Sequence, residues 1–285
     1  MQIRRAETEK PRVKDLCFDE AEAANTFCFY FPQSPLDDFI ERFWYWKGHT
    51  VSRSLERILP TGTVELVIDL GSTRTSKSVI SGPKSKSSII QRTAQDELLG
   101  IHFKPGGAFP FLKFPFGDLH NIDIGIDDLW GEGRVNQLLH LLNEAERPER
   151  RFQILEMWMM KAITRPLNHH PAVNVAIPEL QRNPNLSMSQ VAAKVNLSQK
   201  RFIQLFSNEV GLTPKLFSRI QRFNRVIRSA VCSNDVDWLE TAMSFGYFDQ
   251  AHLIHEFQEF SSLTPTKYLG LRTEHLRHVR VSDSR

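Results

Sequence analysis

The chain has 285 residues, of which 41% are hydrophobic and 24% charged, with a formal net charge of +3. That length accommodates two cored domains at about 150 residues each, and the 10% aromatic share, mostly Phe, excludes a disordered chain. The net charge is too small to mark a nucleic-acid binder, so the placement of the charges matters more than their sum.

The first twenty residues, with Arg4, Arg5, Glu7, Glu9, Lys10, Arg12, Lys14 and Asp15, hold no apolar segment of the kind a signal peptide needs. No run of about eighteen apolar residues occurs in the sequence, so no membrane insertion and a cytoplasmic address are expected. Cys17, Cys28 and Cys232 are odd in number and form no CxxC pair, which suggests buried thiols rather than a disulfide framework or a zinc site.

Residues 30 to 130 read as β-rich. Phe39 to Trp46, Val64 to Leu70, Ser88 to Ile90 and Leu98 to Phe103 are short apolar runs, broken by the turn signals Pro60-Thr61-Gly62, Ser81-Gly82-Pro83 and Pro105-Gly106-Gly107. Strands broken at such intervals predict a sandwich or barrel. Pro105-Gly106-Gly107 lacks the Lys-Ser/Thr of a P-loop and the third Gly of a dinucleotide fingerprint, and reads as a turn. Trp44-Tyr45-Trp46 alternates across a strand, so one face is a candidate ligand pocket with Trp44, Glu65 and His102; Trp as β-domain core is the commoner arrangement.

Helical periodicity follows, from about Arg134 to Glu146 and from about Pro148 to Thr164. In the second stretch Phe152, Leu155, Trp158, Met159 and Ala162 recur at three- and four-residue steps. This helical arm is a candidate dimer contact, with packing on its own β domain as the alternative. Residues 166–171, with two prolines, read as a linker between a β-rich domain over 1–165 and a second domain over 172–270. His169 and His170 lack metal-ligand spacing, as do His275 and His278 in the polar tail 271–285, so solvated positions and no metal are expected. No GxSxG, HExxH or Cys-His pattern occurs, which argues against an enzyme and calls for no cofactor.

Beyond the linker the chain repeats itself. Ser198-Gln199-Lys200-Arg201-Phe202-Ile203-Gln204-Leu205-Phe206 precedes Gly211-Leu212-Thr213-Pro214; 51 residues on, Asp249-Gln250-Ala251-His252-Leu253-Ile254-His255-Glu256-Phe257 precedes Ser262-Leu263-Thr264-Pro265. In front of the first copy, Ser187 and Gln190 have capping-box spacing for a helix that ends at the turn Val195-Asn196-Leu197, and Ser198 caps the next. The second unit has Trp238 to Phe245, a turn at Gly246-Tyr247-Phe248 where positive φ is needed, and Asp249 as cap. Between the units, Leu216, Ile220, Phe223, Ile227 and Ala230 form one buried stripe, while Lys215, Arg219, Arg222, Arg225 and Arg228 fall in a stretch without an acidic residue. A helix of about 17 residues is roughly 26 Å long and can hold two helix-turn-helix units rigidly apart.

The Leu-Thr-Pro after each second helix, Gly246-Tyr247-Phe248-Asp249-Gln250 and Arg222-Phe223 resemble the double helix-turn-helix domain of AraC/XylS-type transcription regulators over about residues 172 to 270. Glu56-Arg57-Ile58-Leu59-Pro60-Thr61-Gly62, Ser81-Gly82-Pro83 and Gly100 to Gly107 are similar to the uncharacterised cupin-like domain of one AraC subgroup. The resemblance implies an α+β protein: a β-rich, cupin-like N-terminal domain with a helical arm, then an all-α domain that reads two adjacent major-groove segments of double-stranded DNA about one turn apart. It implies base reading by Lys200, Ile203 and Gln204 from the first unit and Gln250, Ala251, Ile254 and His255 from the second. Phosphate contacts would come from Arg222 and Arg225 and from the helix starts at Ser198 and Asp249, with Arg201 and His252 beside them. The family often has Arg where this chain has Gln204 and His255, which should weaken non-specific affinity and change the base read. A small-molecule effector, RNA polymerase and a second copy of the chain are the further partners it implies. The competing expectation is a cupin-type binding protein or enzyme with a helical interaction module, against which the missing His-x-His signature counts.

Overall fold

The computed structural model describes residues 13–15, 26–48, 54–71, 78–92, 96–114, 116–231, 235–273 and 277–281. Cys17, Cys232 and His275 lie outside the described residues. Among those described, no helix is long and apolar enough to cross a membrane.

Strands β1 (Val13–Asp15), β2 (Thr26–Tyr30), β3 (Ile40–Lys47), β4 (Ser54–Ile58), β5 (Glu65–Asp69), β6 (Val79–Ser81), β7 (Ser88–Arg92), β8 (Glu97–Phe103) and β9 (Asp123–Gly125) fill the first half. They are followed by helices α1 (Ile126–Trp130), α2 (Glu132–Glu144) and α3 (Pro148–Lys161). Seven strands form an antiparallel sheet in the order β1-β2-β3-β8-β5-β6-β9. Alternation places Phe43, Tyr45, Leu66, Ile68, Leu99 and Ile101 on one face, where they pack with Val135, Leu138, Phe152, Leu155 and Met159 of the helical arm. The expected β-rich domain with a helical arm thus has its helices packed against one face of the seven-stranded sheet.

A buried ion pair ties arm to sheet. Arg151, 7% exposed, donates to the carbonyls of Leu142 and Ala145 and to Glu97, which also accepts from Tyr45 Oη at 2.7 Å. Burial alone would raise the Glu97 pKa, but the hydrogen bonds from Arg151 and Tyr45 and the charge of Lys47 hold it below the usual carboxylate range.

The second half is helical: α4 (Pro171–Arg182), α5 (Met188–Lys194), α6 (Gln199–Val210), α7 (Pro214–Val231), α8 (Trp238–Ser244), α9 (Gln250–Ser261) and α10 (Pro265–Leu271). Val173, Leu180, Val191, Phe202, Phe206, Phe217, Ile220, Phe223, Leu253, Phe257 and Tyr268 form its core. The tail, expected to be solvated, instead supplies β10 (His278–Arg280), which pairs antiparallel with β4 to give a three-stranded sheet β10-β4-β7. His278 Nδ1 lies 2.9 Å from Glu56 Oε2 across that ladder. His169 is likewise drawn inward, with Nδ1 3.0 Å from the Glu209 carboxylate, which also accepts the His170 backbone N–H. Each histidine found its partner on a distant element, which sequence spacing does not reveal.

Candidate nucleic-acid interface

The two helix-turn-helix units are built from the same local parts. Ser187 and Gln190 form a reciprocal capping box at the start of α5, and Asp237 caps α8 by accepting from the N–H groups of Leu239 and Glu240. Each turn then passes through a left-handed residue, Asn196 at φ 54° and Gly246 at φ 74°. Asn and Gly are the two residue types that adopt this conformation at least cost. The helices α6 and α9 open on Ser198 and Asp249, whose side chains accept from Arg201 N and His252 N. They close on the left-handed residues Gly211 and Ser262. The repeated Leu-Thr-Pro starts the following helix: the Leu is buried, the Thr hydroxyl accepts from the N–H three residues on, and the Pro occupies the first turn.

The repeat distance is not constant. It is 50 residues from Asn196 to Gly246 and 51 from Ser198 to Asp249, so the second turn holds one extra residue, Phe248, which is 87% exposed.

Of the residues expected to read bases, Lys200, Gln204, Gln250, Ala251 and His255 are exposed, whereas Ile203 and Ile254 are half-buried. Those on each helix follow its outer face at three- and four-residue steps, opposite the buried rows Phe202/Phe206 and Leu253/Phe257. Arg201 Nη1 donates to Gln204 Oε1 at 3.1 Å, so those two side chains already form a pair on the first surface. His252 Nδ1 accepts from the Phe248 N–H at 3.3 Å and the ring meets Tyr247 edge-on.

The basic stripe of α7 is partly neutralised from within. Arg222 has a side chain 13% exposed and clasps Glu256, which is 2% exposed, with Nη2 2.9 and 2.8 Å from the two carboxylate oxygens and Nε 3.1 Å from one. Its guanidinium also stacks 4.2 Å from the Tyr247 ring centre and reaches the Gly246 carbonyl at 3.3 Å. Arg219 Nε donates to Glu256 at 2.8 Å and a second nitrogen pairs with Glu259. Burial works against the Arg219 charge, but the two glutamates more than compensate and raise its pKa. Burial, with Glu256 close by, drives the Tyr247 pKa upward. Arg225 remains exposed, donating to the Arg182 carbonyl at the end of α4 at 3.2 Å. The glutamates that neutralise α7 lie more than 30 residues downstream, so the charge run looked stronger in sequence than on the folded surface.

The candidate pocket residues come together on the sheet face opposite the helical arm. Trp44 lies flat across Gly100, where an added Cβ would stand 2.2 Å from the indole Cε2, and Nε1 donates to Glu65 at 2.9 Å. His102, 4% exposed, lies 3.8 Å from Glu65 through Nδ1 and 3.3 Å from both Glu41 and Thr63 through Nε2. Burial raises the Glu65 pKa, but bonding and charge from His102, the charge of His278 and the Trp44 N–H bring it below the ordinary value. Among the described residues no group of three or more His, Cys, Asp or Glu has the arrangement to hold a metal ion.

Two family models match: residues 191–270 match a "Helix-turn-helix domain" and residues 29–124 a "Domain of unknown function (DUF6597)". No curated protein matches the chain. Among solved structures, the C-terminal domain of AraT, a response regulator from Geobacillus stearothermophilus, is 20% identical and covers 37% of this chain and 91% of its own, with a TM-score of 0.34. ToxT from Vibrio cholerae, at 1.65 Å resolution, is 10% identical over 87% of this chain and 98% of its own, with a TM-score of 0.40. Unsaturated fatty acid-bound ToxT from strain SCE256 is 10% identical over 90% and 98%, with a TM-score of 0.39. TM-scores this low leave the assignment resting on the two domain matches.

Proposed function

We propose that this chain, an AraC-type helix-turn-helix domain joined to an N-terminal DUF6597-type domain, is a transcription regulator that reads two adjacent major-groove segments of double-stranded DNA with α6 and α9. The observation that carries the reading is the duplicated outer face: two helices capped alike, each with an exposed side opposite its buried rows over the first two turns, with Lys200 and Gln204 on one and Gln250 and His255 on the other. Gln can pair bidentately with adenine and Lys with guanine, at about 1 to 3 kcal/mol of discrimination per good pair. Exposed Arg225 and the helix starts at Ser198 and Asp249 supply phosphate contacts in this reading. Arg222 serves it differently from a phosphate ligand, by holding α9 on α7 through Glu256.

The N-terminal domain carries effector control in the same proposal, with Trp44, Glu65 and His102 as the face that senses a small molecule. A second copy of the chain would dock on the exposed Met157 and Met160 of α3, and RNA polymerase would be the partner at the promoter. The test is base-resolved binding: Gln204→Ala and Gln250→Ala should each relax preference at one position of their own half-site. Equal loss on every DNA sequence would contradict the reading surface.

A further inference from the structure

The segment Pro83 to Ser87, which joins β6 to β7, touches the C-terminal ends of both reading helices. At one end the Pro83 ring packs at the exit of α6, so closely that a Cβ on Gly211 would stand 2.7 Å from Pro83 Cγ. At the other, the Ser87 N–H donates to the Phe260 carbonyl at 2.8 Å, and Ser87 Oγ lies 3.2 Å from the Ser261 carbonyl and 3.3 Å from Ser262 Oγ, at the exit of α9. Four residue steps separate these contacts, at most about 14 Å of extended chain.

The segment is held stiffly from its own side. The Gly82 N–H donates to Ile122 O at 2.8 Å, the Asn121 N–H to Pro83 O at 3.2 Å, and the Ser85 N–H to Asn121 Oδ1 at 2.9 Å. Ser85, 8% exposed, is bonded again by His120 at 2.8 Å, and Lys84 pairs with Asp123 at 2.6 Å. Arg57 Nη1 donates to Ser87 Oγ at 3.0 Å, which links the far end to β4. Next to it, Leu59 belongs to the core of the helical domain, Asn224 Nδ2 reaches Pro60 O at 3.4 Å, and Gly62 sits against Ile220 and Leu212. Pro60 to Gly62 and Ser81 to Pro83, turn signals when read in sequence, are thus among the parts that grip the helical domain.

We propose that the Pro83–Ser87 segment is a spacing gauge: it fastens the ends of α6 and α9 to one rigid piece of the N-terminal domain and thereby determines which half-site spacing the protein accepts. Helix α7 holds α9 through Arg219 and Arg222 and meets α6 through Phe217 against Phe206; the exit of α6 rests in addition on Pro83 and Phe116 of the N-terminal side, and its Glu209 pairs with His169, which leads from that side. Ser87 is a positioning residue in this scheme, acting through the backbone of residues 260 to 262. The proposal rests on the DNA reading given above.

The test uses the full chain on duplexes that keep both half-site blocks and vary the distance between them by one or two base pairs. Wild type is expected to bind one spacing well and the others poorly. Ser87→Pro removes the N–H and the hydroxyl together, and should shrink that spacing penalty about three- to tenfold, the worth of one or two net hydrogen bonds, while base preference within each block stays unchanged. Ser87→Ala, which keeps the N–H, should have a smaller effect of the same sign and serves if the proline variant does not fold. An unchanged spacing penalty in a folded Ser87→Pro or, failing that, Ser87→Ala protein overturns the gauge alone. Absence of any two-block preference in wild type overturns the DNA reading and the gauge with it.

Discussion

Replacing Arg222 with Ala separates two roles that a basic residue on α7 could have. The substitution removes three short contacts to Glu256, one to the Gly246 carbonyl and the stacking on Tyr247. It leaves a carboxylate that is 2% exposed with Arg219 and the Tyr247 hydroxyl as its remaining partners. Truncating one member of a buried ion pair costs about 3 to 5 kcal/mol. With Arg219 still bonded and Arg222 itself slightly accessible, the expected loss is about 2 to 3 kcal/mol, a factor of roughly 30 to 160 in the folding equilibrium. Urea unfolding of the full chain, followed by Trp fluorescence, measures it; the structure places Trp238 beside Phe257 on the affected unit. The companion measurement is DNA binding against salt concentration. A scaffold residue leaves the slope of log K against log salt unaltered, whereas loss of one phosphate contact lowers it by about 0.9. A stability change below about 1 kcal/mol together with a reduced salt slope would refute the argument from burial and restore Arg222 as a phosphate ligand.

Other consequences follow from particular contacts. Gly246→Ala places a side chain at φ 74° and drives a Cβ to 1.9 Å from Asn185 Nδ2, so it should destabilise the second unit by more than about 1 kcal/mol in urea titrations; Asn196→Gly, at the matching position of the first unit, should change stability by only a few tenths. Glu97 has its pKa depressed by Arg151 and Tyr45, so its contribution is complete above the unfolded carboxylate pKa and disappears as pH falls through the lower folded value. The stability difference between wild type and Glu97→Gln, measured by urea titration from pH 7 downward, should therefore be large at neutrality and shrink below about pH 4; a difference independent of pH would show that the charge is not what matters. Gly100→Ala should push the Trp44 indole off β8 and break its bond to Glu65, seen as a shift of tryptophan emission that is absent when the same change is made in a Trp44→Phe background.

Local signals carried much of this architecture. The capping box at Ser187, the turn glycine at Gly246 and most of the buried stripe of α7 are short-range features, set by residues three or four apart, and were legible; at the start of that stripe Leu216 is only half-buried and Phe217 is the core residue. So was the outer face of α6 and α9, because a helix with its core rows identified has its exposed rows identified as well. What could not be read depends on partners far apart in the chain. Glu256 and Glu259 turn two of the five α7 cations inward, Glu209 takes His169 out of the linker, and β4 recruits β10 from the tail. The turn motifs around Pro60 and Pro83 were recognisable as turns, but their role in gripping the helical domain needs the second domain in place.

The most direct measurement is selection of bound sites from a random duplex pool by the purified full chain at near-physiological salt, followed by sequencing. The account predicts enrichment of two short blocks whose centres lie about one helical turn, roughly 34 Å, apart. A folded protein that enriches no sequence, or a single block indifferent to Gln250→Ala and His255→Ala, would contradict it.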